Sequence, residues 1–164
     1  MKPVLLAFLC CVGFVISLCY AHAQQPKFSE LSATDSQRLD KQRSLIAAVV
    51  KQRFGGAGLT RTTKDLPILQ RLIDERVFSE SQTYELQGLG VVFGDVLASE
   101  LPLRWEMITD EYGTDATLRF KDTSININAP TMISKRVEKG LPVNLSELLK
   151  KNRQELSKAQ KRLR

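Results

Sequence analysis

Cysteine and histidine are almost absent from this chain of 164 residues, which has three Cys and one His. All four sit at the start, as Cys10, Cys11, Cys19 and His22. From residue 24 onward there is neither. That absence removes thiol nucleophiles, imidazole bases, Ser-His-Asp triads, His/Cys zinc sites and disulfides from the remainder of the chain. Acid–base chemistry there is left to carboxylates, and no metal site or cofactor is expected. An exported domain without disulfides must be held by its core. Internal repeats and low-complexity segments are absent as well.

The beginning of the chain is as one-sided as its cysteines. Lys2 is the one charge before an apolar run from Val4 to Cys19, and Ala21-His22-Ala23 follows as an A-x-A signal-peptidase pattern. This layout predicts a secretory leader over residues 1–23 and residence in the periplasm or outside the cell. An uncleaved membrane anchor is the alternative, because Pro3 to Ala21 is nearly long enough to span a bilayer. A lipoprotein anchor fits less well, since Leu18 stands where such signals need a small residue.

Positive charge is concentrated at the other end. The formal net charge is +6, but Lys150 to Arg164 hold basic residues at seven positions against one acid, Glu155. Residues 24–149 are close to neutral. The folded part therefore lacks a nucleic-acid footprint, and no nucleic-acid partner is expected. The tail can make weak contact with an anionic membrane; a solvated helix is the plainer reading.

Periodicity places the elements. Residues 24–33 read as a linker, 34–149 as one domain and 150–164 as a basic helical tail. Thr34-Asp-Ser-Gln37 has capping-box spacing before a helix to Phe54, with Leu39, Ile46, Val49 and Val50 as its stripe and Gly55-Gly56 as its stop. Asp65 caps a second helix with Pro67 in its first turn. A third, from about Ser81 to Leu101, is apolar on more than one side, which predicts a central buried helix.

Then the period changes to two. Leu103, Trp105 and Met107 alternate with Arg104 and Glu106, Leu118 and Phe120 with Arg119, and Ile125 and Ile127 with Asn126 and Asn128. These predict three antiparallel strands with one wet face. Pro130 opens a short helix ending at Gly140, and Asn144-Leu-Ser-Glu147 caps a final helix. The fold class is α+β: a small three-stranded antiparallel sheet covered on one face by helices, with a C-terminal amphipathic basic helix.

From Asp65 to Leu149 the motifs run in one order: Asp65-Leu66, Leu69-Gln70, Leu86-Gln87-Gly88-Leu89-Gly90, Gly94-Asp95, Leu103-Arg104-Trp105, Asp110-Glu111-Tyr112-Gly113 and Pro130-Thr131-Met132-Ile133-Ser134-Lys135-Arg136. This resembles the bacterial family catalogued as domain of unknown function 3806. Ala129 departs from the bulky apolar residue expected before the proline. The resemblance implies bacterial origin and no activity.

The candidate site residues are polar groups in unusual company. Gly88-Leu-Gly90-Val-Val-Phe-Gly94 resembles a dinucleotide fingerprint, but its context is helical, and close packing is the better reading. Asp95 in an apolar helix needs a partner, for which Lys135 or Arg136 is in reach. Asp110, Glu111 and Tyr112 form an acidic turn without calcium-loop spacing. Lys135-Arg136 at a helix start suits an anion. Arg104, Glu106 and Arg119 share the wet face as a docking surface, with Glu106 opposite Arg119 or Lys121. Asn144-Leu-Ser146 matches a glycosylation sequon, although a helix cap is the better reading. Together these favour an exported, non-catalytic binding module acting on an envelope protein or glycan, of inhibitor or immunity type. The alternatives are a carboxylate-dependent hydrolase of envelope glycan, with two acids among Asp95, Glu100, Glu106, Asp110 and Glu111, and membrane association through the tail.

Overall fold

The computed structural model describes residues 25–55 and 58–162. The expected leader, all three cysteines and His22 lie outside the described residues. The elements are β1 (Lys27–Ser29), α1 (Ala33–Phe54), a 3-10 turn (Thr63–Asp65), α2 (Leu66–Asp74), α3 (Thr83–Glu100), β2 (Leu103–Asp110), β3 (Gly113–Phe120), β4 (Asn126–Ile127), α4 (Pro130–Val137) and α5 (Leu145–Arg162). The fold is α+β.

The sheet has four strands, in the order β1-β2-β3-β4, and every neighbouring pair is antiparallel. This corrects the three-stranded expectation. The extra strand, β1, lies in the stretch read as a linker. It is too short to show a period, but Phe28 pairs with Ile108 and supplies apolar cover to the outer face.

Helix α1 starts two residues earlier than its sequence box implies. Ser32 is the N-cap: its hydroxyl accepts from Asp35 N at 3.1 Å, and the Asp35 carboxylate accepts from Ser32 N at 3.2 Å. Ser32-x-x-Asp35 has the same spacing as Thr34-x-x-Gln37, and its acid in the first turn suits the helix dipole. Asn144 caps α5 as expected, its Oδ1 accepting from Glu147 N at 3.0 Å.

Helix α3 is the centre. Every residue from Gly88 to Leu97 is buried. It lies on the face of the sheet that carries Leu103, Trp105, Leu118 and Phe120, with α1 and α4 against its flanks. The glycines make this closeness possible. A Cβ on Gly90 would collide with the main-chain oxygens of Ala129 and Pro130, which cannot rotate away. A Cβ on Gly94 would lie 2.5 Å from Trp105 Cζ2 and 2.9 Å from the Ala129 methyl. The same contact explains Ala129: it is fully buried, and a bulkier side chain has no room.

Helix α5 closes the core with Leu145, Leu148, Leu149 and Leu156. Gln70 of α2 pins its start, donating to Val143 O at 2.8 Å and accepting from Leu145 N at 2.9 Å.

Candidate functional site

Asp95 is buried between α1, α3 and β2, and its partner is neither Lys135 nor Arg136. Arg43 of α1 grips it with two bonds, Nε to Oδ2 and Nη2 to Oδ1, each 2.7 Å. The Trp105 indole N–H donates to Oδ1 at 2.9 Å. Trp105 thus packs on the inner face, as its alternation requires, and satisfies a carboxylate with its polar edge. Arg43 also reaches Asp40 at 3.0 Å. Burial works against the Arg43 charge, and the bonds and charge of Asp95, helped by Asp40, more than offset it, so the guanidinium pKa is raised above its ordinary value.

A fourth group approaches from the surface. Arg61 Nε lies 3.9 Å from Asp95 Oδ2, on an exposed side chain. Arg61 has φ 59°, a left-handed backbone that is uncommon outside glycine. Asp65 holds it there. Its buried carboxylate accepts from Thr60 N at 2.9 Å, from Thr60 Oγ1 at 2.7 Å and from Arg61 N at 2.7 Å. Asp65 precedes α2 but makes no side-chain cap to it, contrary to expectation, because those loop donors take its oxygens.

Lys135 and Arg136 fall in the last turn of α4, not at its start. Free carbonyls gather at that end, and the dipole there favours cations over a bound anion. Arg136 Nη1 accordingly donates to Met132 O at 2.6 Å. At the β2–β3 hairpin, Asp110 Oδ1 accepts from Tyr112 N at 2.8 Å, a self-contained turn that leaves Tyr112 88 % exposed. Glu111 is exposed beside it. Among the described residues no group of three His, Cys, Asp or Glu is placed to hold a metal ion.

The outer face of the sheet is less wet than its alternation suggests. Glu106 is only 4 % exposed. Arg104 and Arg119 stand directly opposite each other on β2 and β3, and the Glu106 carboxylate lies between them. Arg104 Nε donates to Oε1, and Arg119 Nη1 donates to Oε2 at 3.0 Å. Arg119 also donates to Thr123 O at 2.6 Å and lies 4.2 Å over the Phe28 ring. The cover over Glu106 is shallow, being largely its own partners. Burial pushes its carboxyl up, and the two guanidiniums hold it, on balance, below the usual carboxylate range. This trio is internally satisfied, which leaves it little capacity for a ligand.

A sizeable cleft lies elsewhere. An open groove of about 880 Å³ runs between the end of α2 and the α4–α5 connection, with Leu72, Phe78 and Leu86 among its apolar lining and Leu141, Pro142 and Val143 on its other side. Leu141 is 53 % exposed on its rim. Asp74, Arg76 and Glu80 supply the charges. None of the candidate residues named from sequence lines it. Arg76 is the notable one. It ends α2 with φ 48°, in a Schellman arrangement where Val77 N bonds Leu72 O and Arg76 N bonds Ile73 O, each at 3.0 Å. Glycine is the residue that takes this position without strain. No sequence signal marks Arg76, since its backbone conformation is set by the chain after it.

Residues 65–148 match the profile of a family described as Domain of unknown function (DUF3806). A solved structure from Bacteroides thetaiotaomicron VPI-5482 is similar in fold, with a TM-score of 0.70 at 17 % identity over 80 % of this chain and 48 % of that one. The chain thus spans about half the length of that structure. No curated protein matches it.

Proposed function

We propose, for a chain that belongs to the domain of unknown function (DUF3806) family, that it is an exported, non-catalytic binding module. Its ligand is an apolar segment of an envelope polypeptide carrying an acidic residue. The observation that carries this reading is the groove: an apolar cleft of about 880 Å³, open to solvent, with an exposed leucine and a strained arginine at its rim. Clefts of this size and polarity are where ligands bind. Arg76 lines the groove beside Asp74 and Glu80 and makes none of the ion pairs seen among the described residues, and an incoming carboxylate supplies one. Where the polypeptide is an enzyme, the module acts as an inhibitor or immunity protein.

The hydrolase alternative has less support. Arginines hold Asp95 and Glu106, Asp110 serves its own turn, and Glu100 pairs with Arg153 at 2.9 Å. None of the five candidate acids lines the groove. Membrane contact through the tail would rest on charge alone, since the α5 leucines are used by the core. Among the described residues no helix is long and apolar enough to cross a membrane.

The test is a binding screen of tiled peptides from envelope proteins against the purified chain. Bound peptides share apolar residues and one acid, and lose affinity for Leu141→Lys and Arg76→Glu but not for Arg104→Ala. Peptides indifferent to both groove changes would sink the reading. Arg76→Gly sharpens it: stability rises by about 0.5–1 kcal/mol as the left-handed strain is relieved, while peptide binding weakens.

A further inference from the structure

Buried polar side chains in a folded chain have partners, and Gln42 of α1 is an exception. It is only 6 % exposed, yet its side-chain amide makes no hydrogen bond among the described residues. No side-chain nitrogen or oxygen among the described residues is both fully enclosed and unpartnered, so the amide itself is accessible. It opens on a cleft of about 160 Å³. β4 ends at Ile127, and the chain turns into α4 across Gly90. This leaves a corner between α1, the start of α3, the edge of β3 and the start of α4. Leu39 and Ala116, both buried, are the floor of the cleft. Gln87 and Thr131 stand half-buried on its walls, and Tyr84 and Asn128 are exposed at its mouth. The side chains of these four polar residues also lack hydrogen bonds among the described residues. Arg38 and Asp115 complete the rim with one charge of each sign. Arg38 has Asp35 at 3.8 Å, and no ion pair joins it to Asp115.

We infer that this cleft binds one pyranose ring of an uncharged glycan. The amides of Gln42, Gln87 and Asn128 each offer donors and an acceptor, and the hydroxyls of Tyr84 and Thr131 do both. Sugar hydroxyls also donate and accept, so they match this set. An apolar ligand would strip water from these groups without replacing its hydrogen bonds. The two charges at the rim cancel, which favours neither a cation nor an anion. The apolar floor and the exposed ring of Tyr84 suit the C–H face of a pyranose. The cleft is smaller than the sites that take drug-sized molecules and has room for a single ring, and its open mouth lets a glycan chain continue into solvent. It shares no residue with the groove, so it stands independently of the polypeptide reading.

Side-chain amide NMR on the full, isotope-labelled chain tests this. The probes are the methyl glycosides of glucose, galactose, mannose and N-acetylglucosamine, with L-alanine as a zwitterion and inorganic phosphate as an anion. At least one glycoside shifts the side-chain NH2 signals of Gln42 and Gln87 saturably at millimolar concentration, and alanine and phosphate do not. Gln42→Leu weakens that glycoside about tenfold and leaves the denaturation midpoint unchanged or raised, since the free amide has no partner to lose. Asn128→Ala, at the exposed mouth, weakens it without touching the core, and Leu141→Lys in the groove changes nothing. The proposal is overturned if no glycoside moves the Gln42 and Gln87 signals, if alanine or phosphate moves them at lower concentration than any glycoside, or if Gln42→Leu and Asn128→Ala both bind as the parent does.

Discussion

The inner and outer faces of the sheet each bury a carboxylate on β2 or against it, and each satisfies it with arginine. Asp95, beneath the inner face, is held by one guanidinium in a two-point grip and by an indole N–H, in a layer that is otherwise apolar. Glu106, on the outer face, lies between two guanidiniums that would otherwise repel each other across the ladder. In the first case the arginine that grips the carboxylate is itself mostly covered, at 15 % side-chain exposure. In the second the arginines are themselves the cover, and water reaches Arg104, which is half-exposed. The two carboxylates are equally buried, so the exposure of their arginine partners decides how much each network costs to break.

The largest effect should come from Asp95→Ala. It leaves the Trp105 N–H without a partner and Arg43 with only the exposed Asp40, at a cost of up to about 3–5 kcal/mol, read as a lowered denaturation midpoint. Replacing the pair together, Asp95→Leu with Arg43→Met, should recover most of that loss, because two apolar side chains need no partner. If the double variant is as unstable as the single one, the inner cluster is not a paired charge problem.

Glu106→Gln should cost less, about 1–2 kcal/mol, since solvent can screen the released arginines. It also carries a pH signature. The Glu106 carboxyl is held below its ordinary value by Arg104 and Arg119. Its contribution is therefore complete above the unfolded carboxyl pKa of about 4.3 and disappears as pH falls through the lower, folded value. Glu106→Gln should flatten that acid limb of the stability curve. An unchanged limb would show that other carboxylates set it.

Arg104→Ala should give the smallest change, with a midpoint close to that of the parent, because Arg119 still holds Glu106 and the exposed pair with Asp122 is weak. Added salt should erase what difference remains on this face while leaving Asp95→Ala as costly as before.

Much of the scaffold could be read along the chain. Residues such as Leu69 and Leu72, or Leu103 and Leu118, keep the period of their element, and period survives without knowledge of neighbours. Three things did not follow. β1 is three residues long and has no period to show. The Ser32 cap does not stand out along the chain, because Ser32-x-x-Asp35 and Thr34-x-x-Gln37 have the same spacing two residues apart. Arg43 meets Asp95 across a separation of 52 positions, a distance over which local pattern says nothing. The site was harder still. Arg104, Glu106 and Arg119 proved to be occupied with one another and Asp95 with Arg43 and Trp105, and the open groove is lined by ordinary leucines, phenylalanine and valine that look in sequence like core.

Trp105 has a consequence for how this molecule can be watched. It is the single tryptophan in the chain, its N–H rests on Asp95, and Arg43 lies 5.9 Å from its ring. Its fluorescence therefore reports neither a helix nor a strand but the closing of α1 and α3 onto β2. A change in emission colour during refolding marks the moment when three segments far apart along the chain come to rest on one another.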